Sequence, residues 1–362
     1  MLTSADSVWM AQALHLAERG LYSTSPNPRV GCVLVKAGKL LAEGWHQRAG
    51  EPHAEIHALK SAGLSAKSAT AYVTLEPCSH HGRTPPCADA LIAAGVARVV
   101  IAMQDPNPQV AGQGITRLRD AGITVDCGLM ETAAIALNPG FISRMTRGLP
   151  WVRSKIAMSL DGRTALKNGE SKWITGAAAR RDGHHWRARS CAVLTGIGTV
   201  LADDAQLTVR EIATPRQPLR VVLDSTLKIP LTARILQGGN VLIYTTKNDA
   251  QKIALLEKNG ATVAVLPAKN QQIDLLACLK DLATRGCNEV LVEAGCRLNG
   301  AFLRAGLLDT LVLYLAPQIL GDMARGMAQL GELSNLNQRT ELVWQEVRHF
   351  ENDLRIIADI KR

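Results

Sequence analysis

Between His53 and Cys87 the chain sets a histidine and two cysteines in a context that few folds can satisfy. His53-Ala54-Glu55 opens a predicted helix, a strand is expected over 71–75, and Glu76-Pro77-Cys78 and Pro86-Cys87 flank a basic, proline-rich loop. One imidazole and two thiolates supply three corners of a tetrahedral Zn²⁺ site and leave the fourth to water. Glu55 lies too close in sequence to His53 to be a natural fourth ligand, but it is well situated to handle protons at that water. A His-x-Glu or a Pro-Cys pair alone carries almost no information. Together, in this order and around a strand, they predict a metal site with an open position. His80 and His81 sit inside the loop as rival ligands, ranked below Cys78 and Cys87 because each thiol follows a proline that fixes its approach.

A non-ligating glutamate beside a zinc water is the proton carrier of zinc deaminases, which usually space their cysteines as Cys-x-x-Cys. Here the second cysteine lies well beyond that spacing. The rest of the composition narrows the reading. At 362 residues the chain is long for one core, so two domains are expected, 1–148 and 149–362. The boundary is expected at the Asn138-Pro139-Gly140 turn and the basic segment running to Pro150. An apolar share of 47% without a bilayer-length apolar run, and an N-terminus lacking a basic then apolar layout, predict a cytoplasmic protein without a membrane partner. Only Cys78 and Cys87 of the eight cysteines carry a motif, and the others are expected to be small core residues or free thiols.

The net charge of +9 first suggests a polyanion partner. Thirteen basic residues against eleven acidic ones in 1–148 leave +2 there and +7 beyond. No basic run or aromatic-basic interleaving accompanies the excess. Nucleic acid is therefore not expected, and a pocket for a phosphorylated small molecule is.

In chain order the first half predicts a helix over 6–19 capped by Asp6 or Ser7. A rigid Pro26-Asn27-Pro28 turn follows, then strand 30–35 with a partner running to Gly44. Helices over 53–62, 87–94 and 112–120 and strands over 97–102 and 123–126 complete an α/β/α layered domain with a mixed sheet. The second half predicts strand 152–158, a helix reaching about Arg189 and strand 192–195 followed by Gly196-Ile197-Gly198-Thr199. Strand 219–223 ends in Asp224-Ser225, and strand 289–292 ends in Glu293-Ala294-Gly295. Such turns after strands can bring backbone N–H groups against phosphate, although the third glycine of a Rossmann fingerprint is missing. Lys155 stands in an apolar strand, where a lysine needs a partner, and it is expected near the ribose or phosphate of a substrate. Residues 318–344 suggest nothing beyond subunit contact.

Thr74-Leu75-Glu76-Pro77-Cys78-Ser79-His80-His81-Gly82-Arg83-Thr84-Pro85-Pro86-Cys87, with His53-Ala54-Glu55, Pro26-Asn27-Pro28 and Gln104-Asp105-Pro106-Asn107-Pro108, resembles the bifunctional deaminase/reductase family of riboflavin biosynthesis. The resemblance extends over most of the second half. It implies a cytidine-deaminase-like domain that deaminates 2,5-diamino-6-(5-phosphoribosylamino)pyrimidin-4(3H)-one. It further implies a dihydrofolate-reductase-like domain that reduces the ribosyl group with NADPH, and a homodimer formed through that domain. Zinc would be held by His53, Cys78 and Cys87, with Glu55 catalytic and Asn27, His46, Arg83, Asp105 and Asn107 contacting substrate. Dinucleotide contacts would fall on Ala157, Trp173, Thr199, Asp203, Ser225 and the run Gly295, Cys296, Arg297, Leu298, Asn299, Gly300 and Ala301. The sugar phosphate would meet Ser171, Arg187, Leu207, Arg210 and Glu293.

Overall fold

Thr3 caps the first helix, where the sequence suggested Asp6 or Ser7. Its hydroxyl accepts from the Asp6 backbone while Asp6 accepts from the Thr3 N–H at 2.7 Å, a reciprocal pair that satisfies two orphan donors. Asp6 is buried and also accepts from Tyr72 at 2.7 Å and Arg98 at 2.8 Å, so it serves as an anchor from inside the first turn. The computed structural model describes residues 2–79, 86–108 and 110–361, and the chain divides into two compact units, Met1–Leu149 and Pro150–Arg362.

The first unit runs α1 (Ser4–Glu18), β1 (Gly31–Lys36), β2 (Lys39–Trp45), α2 (Ala54–Ala62), β3 (Thr70–Val73), α3 (Cys87–Ala93), β4 (Arg98–Ile101), α4 (Gln113–Asp120), β5 (Thr124–Cys127), α5 (Glu131–Leu137) and α6 (Pro139–Arg147). Its sheet has the order β2-β1-β3-β4-β5, with β1 antiparallel to both neighbours and the remaining pairs parallel. Two glycines fix the layers. A Cβ on Gly31 would lie 1.9 Å from the Ala13 carbonyl oxygen of α1, and one on Gly44 would lie 2.2 Å from the Ala54 carbonyl oxygen of α2. Gly44 is paired with Cys32, the neighbour of Gly31, so the two glycines face opposite sides of the sheet and α1 and α2 cover opposite faces. The Asn138-Pro139-Gly140 segment is the start of α6 and not a boundary turn. Proline suits a first helical turn, and the Asn138 amide exchanges two hydrogen bonds with the Arg29 backbone at 2.8 and 2.9 Å.

The second unit runs β6 (Trp151–Ser159), β7 (Arg163–Ala165), α7 (Ala177–Arg189), β8 (Ala192–Gly196), α8 (Ile197–Asp203), β9 (Leu219–Leu223), β10 (Val241–Thr245), α9 (Ala250–Lys258), β11 (Ala261–Val265), the short β12 (Ala268–Lys269) and β13 (Gln272–Ile273), α10 (Leu275–Thr284), β14 (Glu289–Val292), α11 (Cys296–Arg304), β15 (Thr310–Ala316), β16 (Arg325–Gly326), β17 (Leu342–Phe350) and β18 (Asp353–Ile360). The main sheet has the order β11-β10-β9-β8-β14-β6-β15-β18-β17. All pairs from β11 to β15 are parallel, and the β17–β18 hairpin closes one edge antiparallel. The turns after β9, β8 and β14 therefore lie side by side at the carboxyl ends of neighbouring parallel strands. Open α/β sheets bind ligands at such ends.

Candidate functional sites in the two units

His53 is the residue before α2, in extended backbone (φ −76, ψ 170), and Cys87 is the first residue of α3, with Pro86 as its cap. Cys78 follows β3. Cys78 Sγ lies 3.6 Å and Cys87 Sγ 3.3 Å from His53 Nδ1, and the three donor atoms lie within 4.8 Å of one another. Zinc bonds of about 2.0–2.1 Å to nitrogen and about 2.3 Å to sulfur put tetrahedral donors roughly 3.5–3.8 Å apart, so the cluster fits the ion. Hydrogen bonding from Cys87 draws the Cys78 thiol down against its burial, with His53 assisting, while the same contact raises Cys87. His53 is raised, first by its hydrogen bond to Cys78. This is a donor set poised to lose protons to a cation.

Glu55 sits in the first turn of α2, buried, and burial pushes its carboxyl up to about 7 against the charge of His53. Its Oε2 is buried without a hydrogen-bond partner among the described residues. Gly44 makes this possible, because any side chain there would displace the turn that carries His53 and Glu55. The His46 ring stands edge-on to His53, with centroids 5.1 Å apart. His46 Nδ1 is 3.1 Å from the Pro52 carbonyl, which can only accept, so this nitrogen carries the proton. Its Nε2 then accepts from the Asn27 amide at 3.1 Å, leaving the Asn27 carbonyl as the acceptor that faces away from His46.

Glu76 has a role that its motif did not disclose. Its carboxylate accepts the backbone N–H groups of Asp105 (3.1 Å), Gly112 (2.9 Å), Gly114 (2.8 Å) and Ile115 (3.2 Å). One buried side chain thus ties the cysteine turn to the 105–107 segment and to the start of α4. The available signal was the cap of α4, Gly112, which has no side chain to satisfy that helix's first donors. Asp105 in turn accepts from the Asn107 N–H at 2.8 Å. Arg83, His80 and His81 lie outside the described residues.

In the second unit Arg187 is not a solvated helix residue. It pairs with Glu293 at 2.5 and 2.8 Å and donates to the Thr208 carbonyl at 3.0 Å. Burial would raise Glu293, but Arg187 and then Lys155 override it and hold the carboxyl at about 2. Burial lowers Lys155, with Glu293 opposing. Lys155, Arg187 and Glu293 are therefore one charged group beneath the turn after β14. Leu207 is buried in left-handed backbone (φ 56), and Arg210 is exposed with its guanidinium 3.0 Å from the Thr208 hydroxyl.

Trp173 is no core aromatic: it is 71% exposed, with the Arg180 guanidinium 4.4 Å from its ring centroid. Lys172 pairs with Asp203 at 3.9 Å, and the Ser225 hydroxyl is 3.5 Å from Gln272. Ala157 shares a β6 face with Lys155, Thr199 lies in α8, and Ser171 is half-buried. Gly295 and Arg297 are exposed at the start of α11, while Cys296, Leu298 and Ala301 are half-buried. Asn299 and Gly300 turn inward. Asn299 donates to the Ala294 and Met327 carbonyls and accepts from Ser154, and a Cβ on Gly300 would lie 2.1 Å from the Gln329 carbonyl oxygen.

A zinc-fitting His-Cys-Cys cluster beside a buried carboxyl in one unit, and a charged group at the strand ends of a parallel sheet in the other, define a two-unit enzyme. Comparison with known proteins gives the same division. Residues 3–103 match the model of the cytidine and deoxycytidylate deaminase zinc-binding region, and residues 150–356 match the RibD C-terminal domain. The chain is 50% identical to the riboflavin biosynthesis protein RibD of Escherichia coli K12, covering 96% of this chain and 98% of that protein. It is 42% identical to that of Bacillus amyloliquefaciens, over 98% and 96%. Among solved structures, Acinetobacter baumannii RibD (form 1) is 46% identical with a TM-score of 0.93, covering 99% of both chains. A Thermotoga maritima deaminase/reductase is 34% identical with a TM-score of 0.88, again over 99% of both.

The chain belongs to the RibD family. It is a bifunctional deaminase and reductase of riboflavin biosynthesis, with zinc and NADPH as its cofactors.

Proposed function

We propose that residues 1–148 deaminate 2,5-diamino-6-(5-phosphoribosylamino)pyrimidin-4(3H)-one and that residues 149–362 reduce the product's ribosyl group to ribityl. The Thermotoga relative is described as a diaminohydroxyphosphoribosylaminopyrimidine deaminase and 5-amino-6-(5-phosphoribosylamino)uracil reductase, which supports this choice of substrate. The observation that carries the reading is the His53-Cys78-Cys87 cluster beside the buried Glu55, whose Oε2 has no hydrogen-bond partner among the described residues.

His53, Cys78 and Cys87 would hold a zinc ion, which would supply the Lewis acid that brings the pKa of a water toward neutrality. Glu55 accepts a proton from the water and returns it to the amino nitrogen, so the C–N bond breaks as a C–O bond forms and ammonia leaves. Asn27, its amide oriented by His46, contacts the ring together with Asp105 and Asn107. Arg83 is assigned to the phosphate or the ring of the substrate. NADPH bound in the second unit would supply the hydride for C1 of the ribose, and the ring would open as its oxygen takes a proton. Lys155 and the Arg187–Glu293 pair orient the ribose, while Ser171, Leu207 and Arg210 line the phosphate side. Trp173, Asp203, Ser225 and the start of α11 border the dinucleotide.

We further assign a homodimer through the reductase unit and a cytoplasmic setting. The first is supported by the edge strand β17, which exposes Val343, Trp344 and Val347. The second is supported by eight cysteines that are all free. Supplying the pyrimidine phosphate with NADPH and following ammonia and NADPH absorbance together tests the main reading. Ammonia release followed by NADPH loss is expected, and NADPH loss without ammonia would overturn the order.

A further inference from the structure

The segment from Asp204 to Glu211 is tied within itself by the Arg210 guanidinium, which donates to the Thr208 hydroxyl at 3.0 Å and to its carbonyl at 3.4 Å, and is otherwise held from outside. Asp204 and Leu207 both sit in left-handed backbone, at φ 46 and 56. Each such residue costs roughly 1–2 kcal/mol relative to the right-handed form. Side chains from outside the segment also hold its backbone. Arg187 donates to the Thr208 carbonyl at 3.0 Å, and Gln217 brackets Val209, accepting from its N–H at 2.8 Å and donating to its carbonyl at 3.0 Å. A further tie is the Arg210 N–H, which donates to His184 Nδ1 at 3.1 Å.

His184 stands one turn before Arg187 on α7, buried, with Nε2 3.7 Å from the Glu211 carboxylate. An N–H donor facing Nδ1 requires an unprotonated nitrogen there, so the proton of the neutral ring sits on Nε2, toward Glu211. Burial and the nearby Arg187 charge hold the ring down at about 4, which keeps that lone pair available at neutral pH. No sequence motif marks this histidine.

We propose that His184 is a positioning residue of the reductase: by accepting the Arg210 N–H it sets where Leu207 and Arg210 meet the phosphorylated sugar. This rests on the assignment of Leu207 and Arg210 to the substrate. Asparagine can present its carbonyl oxygen near the position of Nδ1, whereas glutamine carries its amide nearer to that of Nε2. His184→Asn and His184→Gln therefore separate this role from simple filling of space.

The experiment measures KM and kcat for 5-amino-6-(5-phosphoribosylamino)uracil and KM for NADPH in the full-length zinc enzyme, with ammonia release as a control in each preparation. His184→Gln is expected to raise substrate KM roughly threefold to tenfold, as loss of one hydrogen bond would. His184→Asn is expected to stay within about twofold of the unaltered enzyme, since it restores that single bond. Kcat, KM for NADPH and ammonia release should not move. Equal behaviour of the two variants, or a matching rise in KM for NADPH, overturns the proposal. Arg210→Ala identifies which layer failed. If it raises substrate KM while Asn and Gln behave alike, only the assignment of His184 falls; if it leaves substrate KM unchanged, the substrate does not lie at this segment and both readings fall.

Discussion

The two units build their sites in opposite ways. In the first, the metal donors come from residues 34 apart at most in sequence, and two of them stand at helix starts, so the site is a local consequence of strand, turn and helix. In the second, the Arg187–Glu293 pair joins α7 to the end of β14 across 106 residues, and Lys155 comes from a third element, β6. The order of parallel strands brings these groups together. A local site constrains residue types at fixed spacings. A site made by topology constrains which strands are neighbours and leaves the spacing free.

Damage to the local site should therefore be severe and confined to deamination. Glu55→Gln removes the proton carrier while keeping the donors, and a loss of about 10²–10⁴-fold in ammonia release is expected with zinc content, and NADPH oxidation on supplied intermediate, unchanged. Comparable deaminase rates in the variant would refute its role. Cys87→Ser should come next, lowering zinc per chain as measured by atomic emission, because serine is a poor replacement for thiolate at zinc. Full zinc occupancy in that variant would transfer the ligand to His80 or His81.

The sequence disclosed these two units unequally for the same reason. His53, Glu55, Cys78 and Cys87 were legible because their chemistry needs those residue types close together, and α2, β9 and β14 were legible from periodicity and end residues. Glu76 was not, since a carboxylate that binds four backbone N–H groups acts through distance in space, not through a pattern. Asn138-Pro139-Gly140 misled because proline and glycine also suit a first helical turn. The β17 strand escaped notice because its position at an exposed edge leaves few buried positions to give it a period. In the second unit the resemblance, not the spacing, pointed to Arg187 and Glu293, and it could not point to His184, whose partner is a backbone group.

Glu76 sharpens the comparison by showing that even the local site has one long-range tie. Glu76→Ala leaves four backbone donors without their carboxylate, and each buried orphan costs about 1–3 kcal/mol before water relieves it. A lower melting temperature for the deaminase unit is expected, together with a higher KM for the pyrimidine, because the 105–107 segment loses its anchor. NADPH oxidation with supplied intermediate should be preserved. Retention of both thermal stability and KM would show that the tie is dispensable.

The smallest effect concerns pH in the unit assembled by topology. Glu293 is held at about 2 in the folded chain against an ordinary value of 4.5, with the charges of Arg187 and Lys155 overriding burial. Between those values the unfolded chain binds more protons, so stability falls as acid is added. The contribution is complete above about pH 5 and is lost as pH drops toward 2. Glu293→Gln removes this titration, and its deficit relative to the unaltered protein, about 1–3 kcal/mol near neutrality, should shrink in acid. Urea midpoints of the two proteins near neutrality and at about pH 3 measure this directly. A deficit that stays constant with pH would mean that the carboxyl is not held down by its neighbours, and the charged group at the strand ends would then be a packing feature without electrostatic coupling.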